Sequence, residues 1–179
     1  MRRIILITGG QRSGKSAYAE RLALELSDRP VYVATAHVWD TEFRRRVEAH
    51  QARRGPQWTT MEEERWLSRC RVEGRVAVVD CLTLWATNFF FDASEQQAAG
   101  DGDDVVARTL EALKAEFEAF VRQDATFIFV SNEIGSGGVS TSLVQRQFTD
   151  VQGWLNQHVA ARADEVVLMV SGIPVKIKA

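Results

Sequence analysis

Cysteine, proline and histidine are scarce in this chain of 179 residues, which holds two, three and three of them. Cys70 and Cys81 show neither zinc-ligand spacing nor a disulfide framework. A cysteine-stapled secreted domain is thereby excluded, and two reduced thiols in a cytoplasmic protein are expected. No sign of charge dominates. The formal net charge is −2, so general attraction to nucleic acid or anionic lipid is not expected. Long apolar runs are also missing. Met1-Arg2-Arg3 before the apolar residues 4–7 imitates the start of a signal peptide, but Gly9 and Gly10 cut the run far below the length of a secretory core. No other stretch is apolar enough to insert into a membrane. Without repeats, low-complexity tracts or linkers, a chain that is 45% hydrophobic and 26% charged reads as one globular domain spanning 1–179.

What is present alternates between short apolar runs and helical periodicity. Residues 4–8, 31–34, 75–79, 126–130, 166–170 and 173–178 read as strands, with a short extended piece at 58–60. Helices are predicted over 16–26, 41–53, 62–71 and 82–91, from Asp103 or Asp104 with Val106, Leu110, Leu113, Phe117 and Phe120 on one stripe, and again with Leu143, Val144, Phe148, Val151, Leu155 and Val159 on its apolar side. Residues 92–103 are acidic, hold glycine and lack periodicity, so they are expected to form a surface loop, as is the Gly-rich stretch 131–140. Alternating strands and helices imply an α/β fold with a mainly parallel sheet. The last two strands are too close for a crossover helix and must pair antiparallel.

Gly9-Gly10-Gln11-Arg12-Ser13-Gly14-Lys15-Ser16 fits G-x-x-x-x-G-K-[ST] between a strand and a helix. Glycines let backbone N–H groups turn inward around phosphate oxygens, and the helix N-terminus adds partial positive charge. Lys15 is expected to reach the β- and γ-phosphates, and the Ser16 hydroxyl to ligate Mg²⁺. Asp80 ends an apolar strand, where the second magnesium-organising carboxylate of such a site belongs. An Asp after a buried strand also serves as a helix cap, and the phosphate motif is what tips the reading.

On the helix from Thr41, the residues Phe43, Val47 and His50 share one face, with Arg46 and Arg53 flanking His50 along it. Spacing alone fits a solvated basic helix with a half-buried histidine. It also fits an anion-binding face whose imidazole attacks phosphorus while arginines hold the charge. His37 is expected to be packed or exposed without a role, and His158 to lie on the surface. Asp101-Gly102-Asp103-Asp104 lacks the rest of a calcium-loop pattern.

Several blocks, in order along nearly the whole chain, resemble one family. They are Ile7-Thr8-Gly9-Gly10 with Arg12–Ser16, then Ala34-Thr35-Ala36, then Arg46-Val47-x-x-His50 with Arg53-Arg54 and Trp58. Val79-Asp80-Cys81-Leu82-Thr83-Leu84-Trp85 with Asn88 follows, then Val130-Ser131-Asn132-Glu133-Ile134-Gly135. The end carries Asp150-x-x-Gly153-x-x-Asn156-Gln157, Ala163-Asp164-Glu165-Val166 and Ser171-Gly172-Ile173-Pro174-Val175-Lys176. The chain thus resembles the bifunctional adenosylcobinamide kinase/adenosylcobinamide-phosphate guanylyltransferases of cobalamin biosynthesis.

The resemblance implies a RecA-like P-loop fold, a homotrimer, and two reactions using Mg²⁺ with GTP or ATP. A γ-phosphoryl group passes to adenosylcobinamide. His50 then takes GMP from GTP and hands it to adenosylcobinamide phosphate. Guanine-nucleotide contacts are implied at Gly9, Gly10, Gln11, Arg12, Ser13, Gly14, Lys15 and Ser16, at Ala34, Thr35 and Ala36, at Gln51, Ala52, Arg53 and Arg54, and at Glu62 and Asp80, with Ser16 and Asp80 at the metal.

The sequence departs from the family's pattern in three places. Ser136-Gly137-Gly138-Val139-Ser140 replaces a Met-Gly continuation, Glu64 stands where proline is frequent, and Phe43 stands for methionine. Two other readings of the motif remain: a small-molecule kinase without guanylyl transfer, and a RecA-like ATPase module.

Overall fold

The computed structural model describes residues 1–37, 41, 45, 48, 52, 54–98 and 105–179. Among the described residues seven strands form one sheet: β1 Arg3–Gly9, β2 Val31–Ala34, β3 Thr59–Glu62, β4 Val76–Asp80, β5 Thr126–Val130, β6 Glu165–Val170 and β7 Ile173–Lys178. Their spatial order is β3-β2-β4-β5-β1-β6-β7. Every pairing is parallel except β6 with β7. That hairpin turns on Ser171 and Gly172, whose φ angles of 50° and 83° suit a tight turn between twisted strands. The expected antiparallel ending is therefore observed.

Side-chain alternation divides the core into two layers. Ile4 and Leu6 of β1, Val31 and Val33 of β2, and Phe127 and Phe129 of β5 face the helices α2 (Leu82–Ala98), α3 (Val105–Phe120) and α4 (Leu143–Arg162). Ile5, Ile7, Tyr32, Val78, Ile128 and Val130 face the other way, toward Ala19 and Ala23 of α1 (Lys15–Leu26). Phe117 and Phe120 close against Phe129 and Phe127 with ring centroids 5.2 and 5.0 Å apart. Of the stripe expected on α3, Val106, Leu113, Phe117 and Phe120 are buried and Leu110 is half-buried against the same core. Cys70 and Cys81 are both free thiols and both buried.

Four expectations need correction. No helix spans 62–71. Glu62 instead pairs with Ala34 as the last residue of β3, and Glu63 Oε1 then accepts from the Arg65 and Trp66 amides at 3.0 and 2.9 Å. Only a 3-10 turn at Leu67–Arg69 follows. Tertiary partners replace helical ones there, since Glu116 Oε1 accepts from the Ser68 amide and Gln123 Oε1 from the Val72 amide. Second, α2 runs on through Ala98 rather than stopping at Phe91, so the expected loop at 92–103 is helical in its first half. Third, Leu143 and Val144 are 60% and 52% exposed, because the first turn of α4 projects past the core. Fourth, the His158 side chain is only 12% exposed. It lies edge-on to Phe117 and bonds Glu118 at 2.9 Å, and burial lowers its pKa.

Within the predicted helix 41–53, Thr41, Arg45, Glu48 and Ala52 are helical and exposed. Phe43, Arg46, Val47, His50, Gln51 and Arg53 lie outside the described residues, as do residues 99–104 with the proposed cap and acidic loop. Among the described residues no helix is long and apolar enough to cross a membrane.

Candidate functional site

Crevices outside the carboxyl ends of parallel strands are where α/β sheets bind ligands, and the glycine-rich loop after Gly9, Ala34, Glu62 and Asp80 lie along that edge. β1 runs out at Gly9, and the loop of residues 10–14 leads into α1. Gly9 holds φ 147° with the carbonyl of Met169 so close that an added Cβ would lie 2.5 Å from it. Gly14 holds φ 94° at the helix start. Neither position suits another residue type. The loop is also chemically incomplete as a purely structural turn. Ser13 Oγ is buried with no hydrogen-bond partner among the described residues, and Lys15 Nζ is folded back onto the Gly10 carbonyl at 2.6 Å. Burial lowers the Lys15 pKa, against the pull of Cys81 and Asp80, which raise it. A cation held in a glycine-rich amide loop at a helix N-terminus fits a polyphosphate.

The neighbouring strands add carboxylates at one level. Ala34 of β2 pairs with Glu62 on one side and Asp80 on the other, and Asp80 pairs in turn with Val130. Glu62, Ala34 and Asp80 thus occupy one rung at the sheet's carboxyl edge. The Ser16 hydroxyl and the Asp80 carboxylate are hard oxygen donors, the kind that suits a magnesium ion in company with phosphates. The Thr35 side chain locks this edge. Its hydroxyl donates to the Cys81 carbonyl and accepts from the Cys81 amide, both at 2.8 Å. Asn88 from α2 donates to the Thr35 carbonyl at 2.9 Å. Ala36 is half-buried beyond it.

Arg54 has a definite place, though not an open one. Its guanidinium carbon lies 3.6 Å from the centroid of Tyr32, and its Nη1 is 3.7 Å from Glu20 Oε1. Ala52 is exposed, while His50, Gln51 and Arg53 are outside the described residues. His37 is exposed and meets Glu64 at 2.9 Å.

A second group of residues joins here, of which the sequence blocks held Thr8, Ser131, Glu133 and Asn156 while Gln152 was passed over. Thr8 Oγ1 donates to Glu133 Oε1 at 2.6 Å, and Asn156 Nδ2 reaches the same oxygen at 3.2 Å. Asn156 Oδ1 accepts from Ser131 Oγ and Gln152 Nε2 at 2.6 and 2.9 Å. The Glu133 amide donates to the Gly9 carbonyl at 3.1 Å. This network pins the end of β5 to the start of the phosphate loop. Gln152 and Asn156, polar at positions one turn apart on a buried helix face, were the signal available.

Fold and site together define a P-loop nucleotide-binding protein. A prototypical ATPase from the type III secretion system of pathogenic bacteria shares the fold, with a TM-score of 0.57 at 12% identity over 94% of this chain and 51% of that one. A narrower assignment follows from sequence. Residues 5–177 match the family model for cobinamide kinase / cobinamide phosphate guanyltransferase. The chain is 40% identical to the bifunctional adenosylcobalamin biosynthesis protein CobP of Pseudomonas aeruginosa, covering 97% of this chain and 96% of that protein. It is 38% identical to the bifunctional adenosylcobalamin biosynthesis protein CobU of Escherichia coli, covering 98% and 99%. The chain belongs to the cobinamide kinase / cobinamide phosphate guanyltransferase family.

Proposed function

We propose that this enzyme phosphorylates adenosylcobinamide with ATP or GTP and then converts adenosylcobinamide phosphate to adenosylcobinamide-GDP, carrying GMP on His50. The observation that carries the reading is that the Gly9–Ser16 amide loop leaves β1 at the same carboxyl edge of the sheet where β4 ends in Asp80, in a chain of this family.

In the first reaction, the loop amides and Lys15 hold the triphosphate while the substrate hydroxyl attacks the γ-phosphorus. The bond from the γ-phosphorus to the bridging oxygen breaks, and a nucleoside diphosphate leaves. Glu133 and Asp80 are both candidates for proton handling by their location at strand ends; with Asp80 assigned to the metal, Glu133 is assigned to take the hydroxyl proton. In the second reaction, an unprotonated nitrogen of His50 attacks the α-phosphorus of GTP and pyrophosphate leaves. A phosphate oxygen of adenosylcobinamide phosphate then attacks that phosphorus and the P–N bond breaks. Two in-line displacements replace one, which gives ping-pong behaviour. Gln51, Ala52, Arg53, Arg54, Glu62 and residues Ala34, Thr35 and Ala36 are assigned to the guanine nucleotide, Arg54 by its backbone, since its guanidinium lies on the Tyr32 ring. Magnesium held by Ser16 and Asp80 would offset the phosphate charge as it develops.

We further assign the whole chain, 1–179, to one domain acting as a cytoplasmic homotrimer. The free thiols support the compartment. Ile173, Val175 and Ile177 of the edge strand β7, 65%, 44% and 60% exposed, offer apolar surface for assembly to cover.

The test is product analysis. With adenosylcobinamide and ATP alone, the reaction should stop at the phosphate; with GTP present it should proceed to the GDP derivative with release of pyrophosphate. Phosphorylation without the second product under saturating GTP would refute the dual assignment.

A further inference from the structure

Tyr32 is built into β2 in a way that packing does not require. Its ring lies in the α1-facing layer at 4% exposure, where a phenylalanine would fill the same volume. Sheet register fixes where it points. Tyr32 pairs with Val78, and Asp80 lies two residues further along β4 on the same face. The phenol hydroxyl donates to Asp80 Oδ2 at 2.9 Å. The ring is held from its other sides as well. Trp58 meets it edge-on at 6.1 Å. The Arg54 guanidinium covers its face at 3.6 Å, on a side chain only 4% exposed. Arg54 Nε and Nη1 have no hydrogen-bond partner among the described residues. Among the described residues, the ring face and the charge of Glu20 at 3.7 Å hold the arginine, the first a cation–π contact between desolvated groups.

We propose that Tyr32 is a positioning residue for Asp80, its hydroxyl fixing the carboxylate's orientation so that it meets a magnesium-bearing nucleotide without reorganising, with Arg54 clamping the ring. This rests on the reading of Asp80 as the magnesium-organising carboxylate. A carboxylate at a strand end can rotate about two side-chain bonds, and a donor on one oxygen removes that freedom before the ligand arrives. The arrangement explains why a tyrosine sits in the middle of a run that is otherwise aliphatic, and why Arg54 gives its guanidinium to a ring rather than to solvent.

The experiment is calorimetric binding of α,β-methylene GTP, which resists attack at the α-phosphorus, with and without Mg²⁺. The wild-type chain should bind more tightly with the metal. Tyr32→Phe should bind within about twofold of wild type without metal, yet lose about tenfold or more of the gain that Mg²⁺ confers, the scale of one hydrogen bond to a charged group. In an Asp80→Asn background, Tyr32→Phe should add no further loss, since the tyrosine acts through that carboxylate. A merely structural tyrosine would instead weaken both affinities together. Full retention of the Mg²⁺ gain in Tyr32→Phe, or an undiminished extra loss in the Asp80→Asn background, overturns the proposal. If the wild type itself shows no Mg²⁺ gain, the metal role of Asp80 falls first and the proposal with it. Should Tyr32→Phe not fold, Arg54→Lys, which keeps charge but loses the planar stack, should forfeit part of the gain; full gain there overturns the clamp.

Discussion

Thr8 Oγ1 donates to Glu133 Oε1 across 2.6 Å, tying the residue before the phosphate loop to a carboxylate at the end of β5. A short bond between a hydroxyl and a carboxylate fixes one oxygen and leaves the other facing a different environment. Glu133→Gln keeps the size and the acceptor oxygen while removing the basic group. We expect phosphorylation of adenosylcobinamide to fall about 10²-fold or more, with transfer of GMP from GTP onto the protein changed far less. Separate assays of the two half-reactions check this. Equal losses in both would mean Glu133 is a scaffold.

Lys15 is the charge that the phosphate loop keeps in reserve on the Gly10 carbonyl. Lys15→Ala should weaken nucleotide binding about 100-fold, the scale of a lost charge-assisted contact in a partly buried site. The melting temperature should move little, because Lys15 holds no other described hydrogen bond. Fluorescence titration and thermal melting give the two numbers.

Asn156 stands at the centre of a buried network of four polar side chains. Asn156→Ala leaves Ser131, Gln152 and Glu133 short of partners, and unfolding free energy should fall by roughly 1–3 kcal/mol. Urea denaturation measures it. Asn156→Leu should be worse still if the polar partners, rather than the volume, are what matter.

Alkaline pH should destabilise the fold through its thiols. Burial pushes Cys81 up to about 12 and Cys70 up to about 11. Between the unfolded value of 9.0 and those limits, the unfolded chain has released protons that the folded chain keeps. Stability therefore falls as pH rises through that window. For Cys81 alone the folding constant should drop roughly tenfold from pH 8 to about pH 10. Urea midpoints at the two pH values test this, and Cys81→Ala should flatten the trend.

Much of this site was legible because it is local. Eight consecutive residues specify the phosphate loop, and Asp80 follows a run of buried aliphatics whose period leaves no doubt about a strand. The alternation within β1, β2 and β4 also gives both faces of the sheet. What could not be read is non-local. Tyr32 looks like core in an apolar strand, and its partner Asp80 lies 48 positions away. The residues 62–71 carry helical composition, yet backbone groups of Arg65, Ser68 and Cys70 are taken by the side chains of Glu63, Glu116 and Gln123. Local propensity yields there to tertiary hydrogen bonds. The polar residues after Phe91 resemble a loop because a helix with few apolar neighbours carries a weak periodic signal, although α2 continues to Ala98.

The central claim is that the imidazole of His50 forms a bond to phosphorus, and one measurement bears on it directly. The protein is incubated with Mg²⁺ and GTP, without cobinamide, and digested for peptide mass spectrometry under conditions that preserve P–N bonds. The account predicts a GMP adduct on the peptide containing His50, absent from His50→Ala and discharged on adding adenosylcobinamide phosphate. A chain that makes adenosylcobinamide-GDP with no adduct, or with the adduct on another residue, would contradict it.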